Sequence, residues 1–376
     1  MTTVETDGSA LPGGTYVELR AGDTAPWFRQ RSTSNDDYVF DTAAGRWIVL
    51  GFIGSSADAA GQRALAWLHA QRHLFDDSHI AFFGLTQDPG DKARLKAHLP
   101  GIRWFWDFDR SVARLYGAAP TSPHPDPAAE PLRRFWTILD PSLRVRAVVR
   151  FAEGGADLQA LATLLSGLPP VDKAAGITTA APILYLPQIF EPDLCARLIQ
   201  TYDNGGGELS GFMVQRDGRT KLVTDADHKT RRDVVIEDRA LISATRERIR
   251  RRIVPQIERA HQFKVTRMER YLVACYDAAD QAHFRPHRDN TTSGTAHRRF
   301  AVSINLNDDF EGGDVGFPEY GPQTYRPPVG GAVVFSCSLL HRVTPVTRGR
   351  RYAFLPFLYD EAAAAIREAN LARLDL

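Results

Sequence analysis

The sequence has almost no cysteine, and its first half has none. Its 376 residues include only Cys195, Cys275 and Cys337. Three scattered cysteines are too few for a disulfide framework, and they indicate a reducing compartment. The N-terminal residues also lack a basic segment followed by an apolar stretch, so no secretory signal is visible. Together these absences predict a cytoplasmic protein.

The sequence also lacks an excess of charge of either sign and any long apolar run. It has 46 Lys and Arg residues against 45 Asp and Glu residues, for a formal net charge of +1. This balance gives no electrostatic basis for a nucleic-acid groove. No apolar run approaches the roughly 18 residues that a membrane span needs. We therefore expect neither nucleic acid nor membrane among its partners.

The positions of tryptophan and cysteine divide the chain into two parts. All six tryptophans lie at or before Trp136, and all three cysteines lie at or after Cys195. Residues 170–182, between these parts, are rich in Pro, Gly and small residues, which is typical of a linker. We therefore predict an N-terminal domain over residues 15–169, a linker over residues 170–182 and a C-terminal domain over residues 183–376.

Apolar runs alternate with helical patterns in the first domain. Buried strands are predicted at residues 46–53, 80–85, 135–139 and 145–151, and helices at residues 60–74, 91–99 and 157–165. This alternation of strands and helices predicts an α/β sheet that is covered on both faces.

The first domain also carries local family motifs, at residues 21–28, at the strand end Gly51-Phe52 and at residues 137–141. With these motifs it resembles the thioredoxin-fold peroxiredoxin (redoxin) family. That family needs a cysteine thiolate just after the strand to attack peroxide. Residues 54–62 stand at this place and contain no cysteine, which excludes thiol peroxidase and disulfide chemistry. A structural, substrate-docking or dimerisation role remains, and the last would make the protein a homodimer.

Two histidines and one aspartate in the second domain have the spacing of a metal site. His287 and Asp289 are two positions apart, and residues so spaced on a strand project to the same face. His341 follows residues 330–336, which suit a neighbouring strand. Two imidazoles and one carboxylate occupy one face of an octahedron, as in non-haem Fe(II) oxygenases. The three open positions then suit a bidentate 2-oxo acid and dioxygen.

A zinc site formed by His283, His287 and Asp289 is an alternative. Zinc hydrolases usually carry paired histidines on a helix, and Pro286 argues against a helix here. Considered alone, His341 could be a core histidine whose hydrogen bonds are satisfied within the protein. The arginines at positions 348–351, considered alone, could be a basic run exposed to solvent. The order and spacing of the whole set favour iron.

A 2-oxo acid with a second carboxylate also needs a fixed cation. A guanidinium group matches a carboxylate with two parallel hydrogen bonds. Arg351 and its neighbour Arg350 are the candidates, and on a strand only one of them points into the site.

Landmarks of one family recur in order through the second domain. They lie at residues 184–199, 273–276, 287–290, 299–307, 310–314, 316–318, 328–332 and 341–351. With them, residues 183–360 resemble the prolyl 4-hydroxylase branch of the 2-oxoglutarate/Fe(II) dioxygenases. The resemblance implies a double-stranded β-helix, or jelly roll, with bracing helices at residues 194–202 and 240–261.

The resemblance also implies a set of cofactors and the residues that hold them. His287, Asp289 and His341 match the iron ligands of the family, and Arg351 matches the basic residue that binds the 2-oxoglutarate tail. The implied cofactors are Fe(II), 2-oxoglutarate and O2, with ascorbate as an optional reductant.

Four further residues are candidates for cosubstrate or substrate contacts. Tyr276 matches a tyrosine that hydrogen-bonds the cosubstrate, but it lies one position further from the first ligand, and a core tyrosine is the alternative. Asn305 stands where the family can place a tyrosine on the tail carboxylate. Residues 205–233 fall where the family often has a mobile substrate loop. Within them, Arg231 or Arg232 is a candidate for a substrate carboxylate, with a solvated basic face as the alternative.

The reaction implied by the resemblance is hydroxylation of an unactivated C–H bond. The expected substrate is proline or a proline-like residue, in a peptide, in a protein or as a free amino acid. A natural-product or other amino-acid hydroxylase is one alternative. Another is an oxygen-sensing or protein-binding module, in which the redoxin-like domain docks a partner.

Overall fold

The computed structural model describes residues 15–125, 130–216 and 218–375. The N-terminal residues, on which the expected absence of a signal depends, lie outside these ranges. The chain divides into two compact units, Met1–Thr178 and Thr179–Leu376. Across the described ranges, every helix falls short of the combined length and apolarity that a bilayer crossing requires.

The first unit is a mixed α/β structure. Its described strands and helices are β1 (Arg29–Gln30), β2 (Tyr38–Val39), β3 (Trp47–Gly54), α1 (Ala59–Ala70), β4 (Ile80–Thr86), α2 (Asp91–Arg94), β5 (Ile102–Trp106), α3 (Ser111–Tyr116), β6 (Phe135–Leu139), β7 (Val145–Arg150) and α4 (Ala156–Ser166). The main sheet has the order β5-β4-β3-β6-β7. Strands β3, β4 and β5 run parallel to one another. Strand β6 is antiparallel to β3, and β7 is antiparallel to β6.

Helices cover both faces of this sheet. They bury the central strand β3, which is apolar throughout. Every residue of β3 is buried, and alternate side chains point to opposite faces. Trp47 and Val49 pack with residues of α1 and α4, whereas the ring of Phe52 contacts Tyr116 of α3. The helix predicted over residues 91–99 ends early, at Arg94, because Leu95 takes an extended backbone and joins the core under α1 and α4.

The second unit contains most of the strands. Its described elements are β8 (Leu184–Leu186), α5 (Pro192–Gly205), β9 (Glu208–Leu209), β10 (Phe212–Arg216), β11 (Arg219–Val223), β12 (Lys229–Thr230), β13 (Arg232–Val235), α6 (Arg239–Arg252), α7 (Val254–His261), β14 (Arg267–Glu269), β15 (Leu272–Asp277), β16 (His283–His287), β17 (Phe300–Asn305), β18 (Glu311–Gly312), β19 (Val315–Gly316), β20 (Thr324–Tyr325), β21 (Ala332–Ser336), β22 (His341–Val343), β23 (Val346–Arg348), β24 (Arg350–Phe354), β25 (Phe357–Tyr359), α8 (Glu361–Asn370) and β26 (Leu374–Asp375).

Two sheets of this unit pack face to face. The larger has the order β14-β25-β17-β24-β15-β13-β9, with β21 and β8 continuing from β17, and the smaller has the order β12-β16-β22-β19-β20. Strand alternation gives the larger sheet two apolar faces. On β17, Val302 and Ile304 join the core beneath α5, α6 and α7, whereas Ala301 joins the core between the sheets.

One helix of the second unit differs from the prediction, and the segment expected to contact substrate contains strands. The helix predicted over residues 240–261 is two helices, α6 and α7, because Pro255 lacks a backbone N–H group and is tolerated only in the first turn of a new helix. Residues 205–233, where the resemblance places a mobile substrate loop, contain strands β9 to β12 and the start of β13, and β10 pairs with β11 as a hairpin.

Candidate metal centre

Three potential metal ligands meet where β16 and β22 pair. His287 and His341 face each other across this antiparallel pair. Nε2 of His341 lies 3.3 Å from one carboxylate oxygen of Asp289, and Nε2 of His287 lies 3.7 Å from the other. Within the described residues, these three are the one group of His, Cys, Asp or Glu side chains found with metal-ligand spacing. The structure therefore brings together the two imidazoles and the carboxylate that the sequence singled out.

Hydrogen bonds to the backbone orient both imidazole rings. Nδ1 of His287 lies 2.7 Å from the carbonyl oxygen of Arg285, and Nδ1 of His341 lies 3.0 Å from that of Leu339. Because a carbonyl only accepts, each Nδ1 donates to it, and each Nε2 is the nitrogen that faces Asp289. Burial and the neighbouring His341 hold the pKa of His287 well below its ordinary value. Both rings therefore turn Nε2 toward the place that a metal would occupy.

Asp289 reaches the site from a turn and not from a strand. Strand β16 ends at His287, and Asp289 lies in the turn that follows. Its backbone N–H donates to the carbonyl of Cys337 at 2.9 Å, just beyond β21. The expectation that His287 and Asp289 share one strand face was wrong, because this tie between two chain segments aims the carboxylate.

Aromatic rings surround the histidines. Phe284 stacks on His287 with ring centroids 3.4 Å apart, and Phe335 lies 4.6 Å from His341. Phe317 is a further neighbour of His341, at 6.4 Å. These apolar walls limit water around the three polar side chains, which strengthens electrostatic interactions there.

Arg351 points into the space between the sheets, and Arg350 points away from it. Arg351 is 1% exposed, whereas the side chain of Arg350 is 58% exposed and pairs with Asp277. Nε of Arg351 donates to Asn305 Oδ1 at 3.0 Å, and Nη2 donates to Ser303 Oγ at 2.7 Å. Its buried Nη1 has no hydrogen-bond partner among the described residues. An unpaired buried donor costs about 1–3 kcal/mol, so this nitrogen marks a place for an acceptor.

Tyr276 lies between Arg351 and a second buried arginine, Arg231. It is opposite Arg351 in the β15–β24 pair. The guanidinium carbons of Arg351 and Arg231 lie 5.4 and 5.8 Å from the centroid of its ring. Nη1 of Arg231 donates to the phenol oxygen at 3.4 Å, and Asp233 accepts two shorter hydrogen bonds from the same guanidinium, at 2.7 and 2.6 Å. The phenol is thus a polar group beside Arg351.

Asn305 and Arg232 occupy different surroundings from these residues. Both ends of the Asn305 amide are engaged, since Oδ1 accepts from Arg351 and Nδ2 donates to the carbonyl of Pro327 at 2.9 Å. This side chain therefore orients Arg351. The side chain of Arg232 is 50% exposed and lies 3.8 Å from Asp280. Of the two arginines predicted for a substrate, Arg231 is the one that contacts Tyr276.

Two further arginines lie near the centre and were missed by the sequence patterns. The guanidinium carbons of Arg298 and Arg270 lie 4.0 and 5.4 Å from the centroid of Phe357. Phe357 belongs to the core between the sheets together with Phe335, which packs on His341. Neither arginine is part of a motif, so no local signal could have found them.

Glu269 anchors Arg298 and gives a test of stability. It accepts hydrogen bonds from Arg298 at 2.8 Å and from His297 at 3.0 Å. Burial alone would raise the pKa of Glu269, but the bond from His297 and the charge of Arg298 lower it from 4.5 to about 2. Because the pKa is lower in the folded state, the carboxylate stabilises the fold above pH 4.5, and this contribution is lost as the pH falls toward 2.

We therefore expect Glu269→Gln to reduce the free energy of unfolding at pH 7 by roughly 3 kcal/mol. Denaturant unfolding of both proteins between pH 7 and pH 3 measures the difference, which should shrink below pH 4.5. The control is Glu361→Gln, which removes an exposed carboxylate paired with Arg267 and should have a much smaller effect. A difference that stays constant over this pH range would contradict the role given to Glu269.

The sequence around this centre matches a family model. Residues 271–359 match the model of the 2OG-Fe(II) oxygenase superfamily. This range includes all three candidate ligands and Arg351. The chain therefore contains a 2OG-Fe(II) oxygenase domain in its C-terminal part.

Similar proteins are found among curated sequences and among solved structures. A PKHD-type hydroxylase of a Synechococcus species is 33% identical over 89 residues, which are 22% of this chain and 39% of that protein. The chain thus spans about two fifths of the length of this curated relative. A prolyl hydroxylase from Trichoplax adhaerens, solved with a hypoxia inducible factor oxygen degradation domain peptide fragment, is 17% identical with a TM-score of 0.38, and the match covers 57% of this chain and 97% of that one. Peroxidoxin BcpB from Mycobacterium tuberculosis is 17% identical with a TM-score of 0.33, over 40% of this chain and 99% of that one.

Proposed function

We propose that the second unit is an Fe(II)- and 2-oxoglutarate-dependent hydroxylase that acts on a C–H bond of proline or a proline-like residue. One observation carries this proposal. His287, Asp289 and His341 converge in the same unit in which Arg351 offers a buried guanidinium nitrogen without a partner among the described residues. The first feature suits a metal with open positions, and the second suits a carboxylate.

The three side chains fit one iron ion. Ligand atoms about 2.1 Å from a metal and at right angles lie roughly 3 Å from each other. The nitrogens of His341 and His287 lie 3.3 and 3.7 Å from the oxygens of Asp289, so small rotations suffice. Two imidazoles and one carboxylate with open positions form the ligand set that non-haem Fe(II) oxygenases use.

Arg351 would bind the far carboxylate of 2-oxoglutarate. Burial lowers the pKa of Arg351, but a guanidinium group stays charged in proteins, and a buried charge needs a counter-ion. Ser303 and Asn305 occupy Nη2 and Nε, so they hold the fork in one orientation and leave Nη1 for the ligand. The phenol of Tyr276 offers the cosubstrate a further hydrogen bond.

Iron, 2-oxoglutarate and O2, when bound, supply the oxidising chemistry that replaces a C–H bond by C–OH. The residues of the chain supply geometry and a dry site. The carbonyls of Arg285 and Leu339 fix the orientation of the two imidazole rings, so that each Nε2 faces Asp289. The rings of Phe284 and Phe335 exclude water from the histidines.

We also propose the finer fold assignments. The second unit would be a double-stranded β-helix, which its two facing sheets and outer helices support. The first unit would be redoxin-like, and its sheet order β5-β4-β3-β6-β7 with covering helices supports this. Because this unit has no cysteine, we assign it a docking or dimerisation role. The domain bounds at residues 169 and 183 stay part of this proposal.

The activity is tested by measuring succinate release from 2-oxoglutarate in the presence of Fe(II) and O2. We expect release to require Fe(II) and to rise on addition of L-proline, L-pipecolate or proline-containing peptides. Assays with and without ascorbate test its role as a reductant, and mass spectrometry should show one added oxygen atom in the product. Stimulation by a free amino acid would favour a small-molecule hydroxylase, and stimulation only by a folded partner would favour protein modification. No succinate from the iron-loaded protein under any of these conditions would refute the proposed activity.

A further inference from the structure

We propose that Arg270, with Arg231 and Arg298 beside it, forms a subsite for a carboxylate of the substrate that is hydroxylated. This inference rests on the proposed function and adds the substrate class. The substrate would carry an α-carboxylate, either as a free amino acid or at the C-terminus of a peptide.

The position of Arg270 links it to the metal centre. Arg270 and Arg298 both lie over Phe357, whose core between the sheets also contains Cys337. The carbonyl of Cys337 accepts the backbone N–H of Asp289. Arg270 also lies near enough to Asp289 for that carboxylate to act on its charge, which suits a group that holds one end of a substrate whose other end faces the metal.

The guanidinium group of Arg270 still has donors to offer. Among the described residues, its one hydrogen bond is a long contact of 3.5 Å from Nη2 to Oδ2 of Asp233. That oxygen already accepts a bond of 2.6 Å from Arg231. The side chain of Arg270 is 28% exposed, against 4% for Arg231 and 14% for Arg298. Arg270 is thus the member of the group that a ligand from solvent can reach.

The charges around Arg270 favour an anion. Three guanidinium groups lie near two carboxylates, those of Asp233 and Glu269, and Glu269 is shared with His297. Asp289 carries a further negative charge that acts on Arg270, but it is one of the proposed metal ligands, and Asp233 is already paired with Arg231. Burial, followed by the charges of Arg231 and Arg298, lowers the pKa of Arg270 to about 10. A bound carboxylate would remove this mutual repulsion.

Lys229 does not change the balance of charge. Burial, followed by the charge of Arg231, lowers the pKa of its amine to about 5, so the amine is neutral at pH 7. It donates to Ser210 Oγ at 2.7 Å and to the carbonyl of Gly211 at 2.5 Å. The anion site therefore consists of arginines, whose planar forks match a carboxylate better than an amine does.

The backbone at Arg270 supports a functional role. Its φ angle of 67° lies in the left-handed region, which is unfavourable for a residue with a side chain. Such conformations persist where the surrounding structure enforces them, and they cluster at ligand sites. Here the conformation occurs between β14 and β15 and places the guanidinium over Phe357.

The carboxylate at Arg270 would belong to the substrate and not to 2-oxoglutarate. The cosubstrate has one carboxylate beyond its metal-chelating end, and Arg351 offers the unpaired buried donor for it. A second carboxylate near the metal therefore requires a second molecule.

The test uses the full chain, loaded without oxygen with Fe(II) and 2-oxoglutarate. The visible charge-transfer absorption of an iron(II)–2-oxo acid chelate reports ligands that enter beside it. Titration with L-proline, L-pipecolate and glycyl-proline is compared with titration by their carboxamides. We expect the carboxylates to perturb the absorption with at least about tenfold higher affinity than the amides. Tighter binding of L-proline or L-pipecolate would indicate a free amino acid as the substrate. Tighter binding of glycyl-proline would indicate the C-terminus of a peptide.

Variants then assign the discrimination to Arg270. We expect Arg270→Gln to weaken the binding of carboxylates by about tenfold to a hundredfold and to leave the amides unchanged. Arg270→Lys keeps the positive charge but loses the planar guanidinium group. Its affinity for carboxylates should therefore lie between that of the unmodified chain and that of Arg270→Gln. The matched control is Arg267→Gln, which removes an exposed guanidinium paired with Glu361 three positions earlier. Its affinities should equal those of the unmodified chain.

The outcomes separate this inference from the proposed function. If the absorption does not form with Fe(II) and 2-oxoglutarate, both fail. If it forms in the unmodified chain, but amides bind as well as carboxylates or no compound of the panel perturbs it, the substrate subsite alone is refuted. The same holds if Arg270→Gln weakens 2-oxoglutarate and not the substrate carboxylates. The comparison of carboxylates with amides needs no variant, so it stands even if Arg270→Gln does not fold.

Discussion

Replacement of Asp289 by alanine should abolish succinate formation and weaken Fe(II) binding by roughly a hundredfold or more. The carboxylate is the one anionic ligand of the proposed set, and removing one partner of a buried charge pair costs about 3–5 kcal/mol, which corresponds to that change in affinity. His341→Ala should have a similar effect, because the remaining two ligands no longer define one face of an octahedron. Iron titration and a succinate assay measure the two quantities.

The matched control for this result is Asp280→Ala. Asp280 is a 46% exposed carboxylate near Arg232 and is not part of the metal-ligand set. Its replacement should leave iron binding and turnover unchanged. Asp289 forms no salt bridge to an arginine or lysine among the described residues, so Asp289→Ala should also fold normally, and this can be checked by circular dichroism. Full turnover in Asp289→Ala or His341→Ala would contradict the assignment of the ligands.

Replacement of Arg351 by methionine should weaken 2-oxoglutarate binding by roughly a hundredfold and leave Fe(II) binding almost unchanged. The tail carboxylate would lose charge-assisted hydrogen bonds worth about 1.5–3 kcal/mol each. The folded apo protein should keep its stability, because an apolar side chain of similar size removes a buried charge whose Nη1 has no partner among the described residues. Calorimetric titration of the iron-loaded protein measures both affinities.

The adjacent arginine is the control for this change. Arg350 lies on the same strand, but its side chain is 58% exposed and pairs with Asp277. Arg350→Met should bind 2-oxoglutarate normally. Excess 2-oxoglutarate, at about a hundred times its dissociation constant, should stabilise the unmodified chain by about 2.7 kcal/mol, and this gain should disappear in Arg351→Met. The opposite pattern, with Arg350 essential and Arg351 dispensable, would show that the assignment of the tail-binding arginine is wrong.

The residue types of the candidate centre could be read from the sequence, but their placement could not. Strand alternation correctly required that only one of Arg350 and Arg351 point inward, but it left the choice open; the family resemblance favoured Arg351, and the register of β24 against β15 and β17 turns that residue inward. The spacing of His287 and Asp289 suggested a shared strand face. The structure instead brings Asp289 in from a turn tied to Cys337, a contact between distant segments that local periodicity does not contain.

Long, continuous patterns were predicted well, and interrupted ones were not. The buried strands β3 and β4 are unbroken apolar runs, so their position followed from composition. Strand β5 was missed because Arg103 interrupts its apolar run, although the salt bridge to Asp77 allows that arginine to lie there. Pro255 was overlooked as the break between α6 and α7. Arg270 could not be foreseen, because its position follows from backbone geometry and tertiary contacts.

The proposed activity requires one iron ion held by His287, Asp289 and His341 beside a 2-oxoglutarate anchored on Arg351. A crystal structure of the protein grown without oxygen with Fe(II) and 2-oxoglutarate tests it most directly. The account predicts a single iron peak in anomalous scattering within about 2.0–2.3 Å of the three ligand atoms, and a tail carboxylate that accepts from Nη1 of Arg351. An iron ion bound elsewhere, or a 2-oxoglutarate whose tail does not contact Arg351, would contradict it.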